Sequence, residues 1–164
     1  MAFLLKFLDH FTGGSGRELG YSISSDLMEI YEGLDWELKA EIDRERPKID
    51  VPGEIVSFFL RTREGGWFGF RHPDLFAAKF VPLALDHLSR QHPIHTIHTK
   101  WTFGPNLKQF REAEKALKPV QAANTTWSGK LFNHLGFYIP SPQHIFVERD
   151  KGKAKEVHAY FVRD

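Results

Sequence analysis

The apolar positions along this chain recur with two different spacings, and each spacing predicts its own kind of element. One apolar series begins at Leu27 and continues at steps of one, three and four residues as far as Glu45. The Ser-Ser-Asp sequence at residues 24–26 is an N-cap signature directly before it, and Pro47 follows it. Side chains at this spacing share one helical face, so the pattern predicts a single amphipathic helix that ends before Pro47.

Strands are predicted where β-branched and aromatic residues are concentrated between turn signals. They are expected over residues 54–61, 67–71, 94–101, 120–124, 143–149 and 156–162. The Arg-Glu-Gly-Gly sequence at residues 63–66 is expected to join the first two of these strands into an antiparallel hairpin.

Further helices are predicted where apolar residues recur at three- and four-residue steps. They are expected over residues 74–88, 107–117 and 126–135. Pro82 lacks the N–H that an unbroken helix uses, so the first of these is expected to kink or to divide into two shorter helices. Pro119 ends the second, and Gly136 is the left-handed stop of the third. The resulting order predicts a mixed α/β (α+β) fold.

Composition fits one compact domain over residues 1–164, with an N-terminal segment and a flexible glycine-rich break at residues 1–16. The chain has 164 residues, of which 41% are hydrophobic, and it has no cysteine. The absence of cysteine excludes thiolate nucleophiles, CxxC redox pairs and zinc sites with sulfur ligands. The apolar stretches are shorter than the ~18–20 residues of a membrane span. We expect no export signal, no membrane partner and a cytoplasmic location.

Charge is divided unevenly between the two halves of the chain, although the net charge is only +1. Residues 1–82 hold 10 Lys and Arg against 14 Asp and Glu, whereas residues 83–164 hold 12 against 7. The C-terminal half is therefore the better place for an anionic ligand. A solvated surface explains the same excess without a ligand.

One motif points to a family. Asn124, Ser128, Phe132, Gly136 and Phe137 form an N-x3-S-x3-F-x3-G-F pattern, whose four-residue steps put Ser128 and Phe132 on one helical face. This segment resembles the last helix of the GNAT superfamily of N-acetyltransferases, which follows a strand and precedes two closing strands. The resemblance implies a GNAT-like mixed, mainly antiparallel central sheet flanked by helices, with the acetyltransferase-like core over residues 54–162. It also implies acetyl-CoA as cofactor.

The resemblance places the cofactor at a turn that leads into a helix. In the family, this turn presents backbone N–H groups to the pyrophosphate of acyl-CoA, where the helix dipole also favours negative charge. The corresponding cofactor-binding residues here are Trp101, Thr102, Phe103, Gly104, Asn106 and Asn124. Only Gly104 matches the family's motif, Trp101 stands where a cation or an amide is usual, and Pro105 has no N–H to donate.

A second register within the same family is open. It takes residues 71–76 as the phosphate turn, residues 75–90 as its helix, and Asn106 as the asparagine that follows the next strand. Its spacing is closer to the family's usual length. It leaves the Gly-Phe sequence at residues 136–137 unused and places Asp74 where it would repel a phosphate, so it ranks second.

Acetyl transfer to an amine needs a base, a group that polarises the thioester, and an acid for the leaving thiolate. His95 and His98 lie on the strand that supplies the base in the family and should face opposite sides of it, and His98 is the candidate base because it is nearer the phosphate turn. Ser128 is the candidate to support the thiolate. The family commonly has a proton-donating tyrosine where this chain has Phe132, and Tyr138 is the candidate to replace that acid. A packed histidine, a capping serine and a core tyrosine are the plainer interpretations. The three-residue steps between His92, His95 and His98 suit a helical face, but this segment contains Pro93 and is predicted as extended, so the three side chains are not expected to converge on a metal.

The leading hypothesis is an acyl-CoA-dependent N-acyltransferase-like protein that transfers an acetyl group to an amine on a small molecule or a protein. The main alternative is a catalytically silent member of the fold, an interaction or assembly protein with a protein partner, as among phage-encoded relatives. A small nucleic-acid-binding domain is the third, because Lys100, Trp101 and Phe103 can stack bases, but we do not expect nucleic acid as the partner. Motifs of P-loop enzymes, serine hydrolases, zinc proteases and dinucleotide-binding enzymes are absent.

Overall fold

The fold is built on a seven-stranded sheet, seen in a computed structural model that describes residues 20–32, 36–44, 51–62 and 73–163. The strands are β1 (Gly20–Ile23), β2 (Leu27–Glu32), β3 (Trp36–Ile42), β4 (Glu54–Thr62), β5 (Ile94–Trp101), β6 (Ile145–Asp150) and β7 (Lys153–Val162). They lie in the order β1-β2-β3-β4-β5-β7-β6, and β4 with β5 is the one parallel pair among the described strands. The expected mixed, mainly antiparallel sheet is confirmed.

The described residues also form four helices. These are α1 (Pro73–Ser89), α2 (Gly104–Ala113), α3 (Pro119–Asn124) and α4 (Trp127–His134), with one 3-10 turn at Pro142–His144. Helix α1 joins β4 to β5, as a crossover between parallel strands requires. In none of the described helices is there an apolar run long enough to cross a membrane.

The amphipathic helix expected from Leu27 to Glu45 is wrong, because this region forms the antiparallel strands β2 and β3. Met28 and Ile30 on β2, and Leu38 and Ala40 on β3, are buried at steps of two residues. Ile30, Leu38 and Ile42 fit both spacings, and pairing decides between them. β3 pairs along its whole length with β4 as well as with β2, and such tertiary pairing overrides local preference.

The helix around Pro82 differs from one of its two expected forms. Helix α1 is a single helix with Pro82 inside it, rather than two shorter helices. The carbonyl that Pro82 leaves without its usual partner belongs to Ala78, an exposed residue, so water can satisfy it.

The expected strand at residues 67–71, its turn at residues 63–66 and the break at residues 1–16 lie outside the described residues.

The strand expected over residues 120–124 is also wrong, because this segment is helix α3. Pro119 occupies the start of the helix, where its missing N–H costs nothing, and the side chain of Gln121 returns to the backbone of Lys118. Ala122 and Ala123 are both fully buried, and alanine is the best helix former. Ala122 and Ala123 therefore contribute to the hydrophobic core as part of a helix rather than a strand.

The last helix agrees with the sequence. The Thr126 hydroxyl caps α4 by accepting from the N–H of Gly129 at 3.0 Å, and Gly136 adopts φ +90° after its end. The expected helix over residues 107–117 begins earlier, at Gly104, and ends at Ala113. Strands β5, β6 and β7 lie where the sequence predicts them, within a few residues.

The two faces of the sheet have different neighbours. One face contributes to a buried core that includes Val56, Phe58, Ile97, Trp101, Val157 and Phe161. The helices complete this core with Phe80, Leu88, Phe110, Ala122 and Phe132. The intervening strand residues point the other way, because side chains alternate along a strand, and they include Ser57, His98, Lys100, His158 and Tyr160.

Candidate functional site

The parallel strands β4 and β5 diverge at one end of the sheet. Their ladder runs from Glu54 with Ile94 to its last pair, Phe58 with Thr99. Beyond it, β4 continues to pair with β3 as far as Thr62, and β5 continues to pair with β7 as far as Trp101. The two carboxyl-terminal ends therefore separate into a fork, which is the place where open sheets with parallel strands commonly bind ligands.

A cleft opens at this fork on the helix-covered face of the sheet. Its walls are largely aromatic and aliphatic, formed by Phe58, Phe59, Phe80, Val81, Trp127, Leu131 and Phe132 among others. Its polar groups come from Thr99, Lys100, Thr102, Asn106 and Ser128. An apolar lining with a few placed polar groups is the usual character of a small-molecule site. We call this the fork cleft.

Asn106 and Ser128 hold each other at the wall of the fork cleft. The side-chain amide of Asn106 donates to the Ser128 hydroxyl at 2.7 Å, and its oxygen accepts from the Ser128 N–H at 2.8 Å. Trp127 N–H donates to the side chain of Gln109 at 2.6 Å. Protein groups therefore already occupy the first N–H groups of α4, which leaves no anion site at its start.

Helix α2 also begins at the fork cleft, but its first turn is not capped by side chains as that of α4 is. Phe103, Pro105 and Asn106 line the cleft, and within the described ranges α2 has neither a side-chain cap nor an acidic residue in its first turn. Gly104 permits the sharp entry with φ +82°. The start of α2 is therefore electrostatically compatible with an anionic group, although Pro105 provides no N–H.

Trp101 is the most deeply buried polar donor at the fork cleft. The residue is only 4% exposed, and its indole N–H has no hydrogen-bond partner among the described residues. A buried donor of this kind normally finds a partner. Trp101 packs against Phe110 with ring centroids 6.3 Å apart, so the ring itself is held in place by the core.

A second constellation lies on the opposite face of the sheet, around Ser57 and His98. The Ser57 hydroxyl lies 3.0 Å from Nδ1 of His98 and 3.2 Å from a carboxylate oxygen of Asp43. Nε2 of His98 lies 3.0 Å from Nδ1 of His158, and Nε2 of His158 lies 3.2 Å from Glu156. These residues line or border a groove that we call the polar groove.

Burial keeps His98 neutral in the polar groove. The pKa of His98 is lowered to about 4, with loss of solvent as the largest cause and the neighbouring His158 as the next. The ring of His98 also stacks on Tyr160, with centroids 4.6 Å apart. A hydrogen bond from Lys100 is the main cause that lowers the pKa of the Glu156 carboxyl. Glu156 is therefore the stable anion beside His158.

The fork cleft and the polar groove meet at Phe59 and Lys100. Both residues line both spaces. Phe59 on β4 and Lys100 on β5 directly follow Phe58 and Thr99, the last pair of the ladder between these two strands. The fork is therefore the point where a ligand held on one face of the sheet comes nearest to groups on the other.

The residues singled out from the sequence divide between several places. Trp101, Thr102, Phe103, Asn106 and Ser128 all line the fork cleft, and Gly104 lies in the same turn. His98 belongs to the polar groove instead. Asn124 ends α3 and donates to the carbonyl of Val120 at 3.0 Å, whereas Tyr138 is 40% exposed and pairs through its backbone with Val162. Neither is among the residues that line the cleft.

Sequence reasoning missed Ser57, Asp43, His158 and Glu156. The polar residues at alternate positions on β7 were the available signal, because a polar alternation marks the uncovered face of a strand. Their neighbours on β4 and β5 are distant in the chain, so the network itself has no local signature. His92 contacts Glu54 at 2.5 Å rather than His98, and within the described ranges no group of three His, Asp or Glu side chains is arranged so that it could hold a metal ion.

Comparison with known proteins finds no match, whether with protein-family models, with curated proteins or with solved structures.

Proposed function

We propose that this protein is an acyl-CoA-dependent N-acyltransferase-like protein, which binds acetyl-CoA in the fork cleft and transfers the acetyl group to an amine. The observation that carries the proposal is the fork itself. Two parallel strands joined by α1 separate after Phe58 and Thr99, and the opening meets both faces of the sheet at Phe59 and Lys100. A donor on one face and an acceptor on the other can meet there.

The cleft has the chemistry that a thioester arm requires. Acetyl-CoA carries its thioester on an arm with amide groups, which binds well to an unpaired strand edge between apolar walls. Beyond Phe58, the edge of β4 that faces β5 carries no ladder pair with that strand. The Trp101 indole N–H and the Ser128 hydroxyl supply donors for carbonyl oxygen or thiolate.

The element order supports the second of the two registers considered for the resemblance. That register uses a strand, the helix near residues 75–90, a further strand and then Asn106, which corresponds to β4, α1, β5 and the start of α2. The first register needs a strand at residues 120–124, where helix α3 lies. The phosphate turn of the second register begins at residues 71–72, which lie outside the described residues.

Thermal unfolding with acetyl-CoA tests the proposal. A ligand at about 100 times its dissociation constant adds about 2.7 kcal/mol to the free energy of unfolding. For a chain of this length, the expected rise in Tm is roughly 5–10 °C. Leu131→Trp fills the cleft and should abolish this rise, whereas Asn133→Trp on the exposed side of α4 should keep it. No rise at millimolar acetyl-CoA, or an equal rise in both variants, would contradict the proposal.

A specific observation favours the silent alternative, an interaction or assembly protein. Phe132 lines the fork cleft, has no proton to give and is 2% exposed. Its ring contacts Phe58 at 6.0 Å and Phe161 at 5.0 Å between centroids, which is the environment of a packing residue. Absence of acetyl-CoA binding by the folded chain would favour this alternative.

A further inference from the structure

Four side chains form one continuous line of hydrogen bonds across three strands. The line runs from Ser57 on β4 through His98 on β5 to His158 and Glu156 on β7, with heavy-atom distances of 3.0, 3.0 and 3.2 Å. Its inner end is buried, because Ser57 is 2% exposed, and its outer end reaches solvent, because the His158 and Glu156 side chains are 31% and 24% exposed. We call these four residues the Ser57 line.

The hydrogen bonds of this line can be donated in either of two directions, which we call its two polarities. When His158 is neutral, Ser57 donates to Nδ1 of His98, Nε2–H of His98 donates to His158, and Nε2–H of His158 donates to Glu156. When His158 is protonated, its Nδ1–H donates to Nε2 of His98, and Nδ1–H of His98 donates to Ser57. The Ser57 hydroxyl then donates to Asp43, which lies 3.2 Å away. The two polarities differ by one proton.

We propose that the Ser57 line is a proton relay, which takes a proton from the acceptor amine at Ser57 and delivers it to His158. This inference rests on the proposed acyl transfer and places the amine in the polar groove. The amine nitrogen loses a proton to the Ser57 oxygen as Ser57 passes its own proton to Nδ1 of His98. His98 passes its Nε2 proton to Nδ1 of His158, which ends as the cation beside Glu156. One proton enters and one positive charge appears.

The charges around the line determine where the proton rests. His98 is surrounded by Asp43, Lys100, His158 and Tyr160, and burial makes the charged form of its ring unfavourable. The groups that face His158 are Glu156 and Tyr160 on β7, His98 and Lys100 on β5, and Phe146 on β6, where Glu148 also pairs with Glu156. The carboxylate of Glu156 favours a cation at His158. His98 therefore transmits the proton and remains neutral.

Nitrogen NMR of the intact chain, labelled at its histidines, tests the relay without any substrate. The titration spans about two pH units on each side of the ordinary histidine pKa of about 6.5. As His158 gains its proton, the proton of neutral His98 should move from Nε2 to Nδ1. A single His98 tautomer throughout, or a charged His98 before a charged His158, would overturn the relay.

Two variants show whether His158 controls the tautomer of His98. His158→Asn keeps a polar atom near the position of Nδ1 but cannot take up the proton, so the switch at His98 should disappear. Glu156→Gln removes the carboxylate from His158, so the switch should persist and move to lower pH. A His98 switch that is unchanged in both variants would contradict the relay. His134→Asn, at an exposed position on α4, should leave the switch unaltered.

Activity measurements then separate failure of the relay from failure of the proposed function. If the chain transfers acetyl groups, His158→Asn should lower the rate constant of transfer by about 10²-fold, the lower end of acid–base contributions, and leave the dissociation constant of acetyl-CoA unchanged. An unchanged rate would overturn the relay while the function stands. If acetyl-CoA does not bind, the function fails, and a missing His98 switch would overturn the relay independently.

Discussion

On the helix-covered face of the sheet, Asn106 and Ser128 pair locally at the cleft, whereas on the opposite face polar side chains form a line across three strands. Two hydrogen bonds join Asn106 to Ser128. Hydrogen bonds instead link Ser57 on β4 to His98 on β5, and His98 to His158 on β7. One face therefore offers apolar volume for binding, and the other offers a path for a proton.

Neither face alone holds all the groups that the proposed acetyl transfer needs. The fork cleft has walls suited to an arm with a thioester, but its described lining has no histidine or carboxylate to receive a proton. The polar groove has such groups, and among the described residues it shares Phe59 and Lys100 with the cleft. The chemistry proposed for this chain therefore depends on the fork, where the parallel ladder ends.

The largest expected effect comes from matched phenylalanine truncations on the two faces. Phe132→Ala removes a ring that is 2% exposed from the core, and it should lower the free energy of unfolding by about 3–5 kcal/mol. Phe146→Ala removes a ring that is 42% exposed and touches Tyr160 at its edge, so the loss should be about 1 kcal/mol. Urea unfolding measures both, and equal losses would contradict the difference between the faces.

The next effect is a pH dependence specific to the polar face. The pKa of His98 is about 4 in the folded chain and about 6.5 when unfolded, so below pH 6.5 protons bind preferentially to the unfolded chain. Stability is therefore complete above about pH 6.5 and falls by about 2–3 kcal/mol toward pH 4.5. His98→Gln removes this contribution, and urea midpoints at both pH values measure it. Equal slopes in the two proteins would refute it.

A smaller effect should follow from breaking the local pair at the cleft. Asn106→Ala leaves the Ser128 N–H and hydroxyl without the partner that they have in the native chain, which should cost about 1–3 kcal/mol. Asn133→Ala on the exposed side of α4 is the matched control and should change stability by less than about 0.5 kcal/mol. Thermal unfolding of both variants measures the difference. A neutral Asn106→Ala would show that the pair is not structural.

Much of the C-terminal fold was predictable from the sequence because its signals are local. Thr126 and Gly136 mark the two ends of α4 by cap chemistry that needs no distant partner. The region after Leu27 was not predictable in the same way, because its apolar spacing fits a helix and only pairing with β4 makes β3 a strand. Segment 120–124 was too short for its composition to decide.

The candidate site was predictable in part for the same reason. Trp101, Asn106 and Ser128 belong to segments with a recognisable motif, and they do line one cleft. His98 was found through its strand, but its neighbours Ser57 and His158 come from strands 41 and 60 residues away in the chain. A network assembled by sheet pairing leaves only an alternation of polar residues on each strand.

The central claim is that acetyl-CoA binds at the fork, and the Trp101 indole N–H is its most direct reporter. This donor is buried and has no partner among the described residues, so a bound carbonyl oxygen should move its proton resonance downfield. NMR titration of the intact chain with acetyl-CoA should show this shift together with shifts of the Phe59 and Lys100 amides. Unchanged resonances at all three positions at millimolar acetyl-CoA would contradict the account.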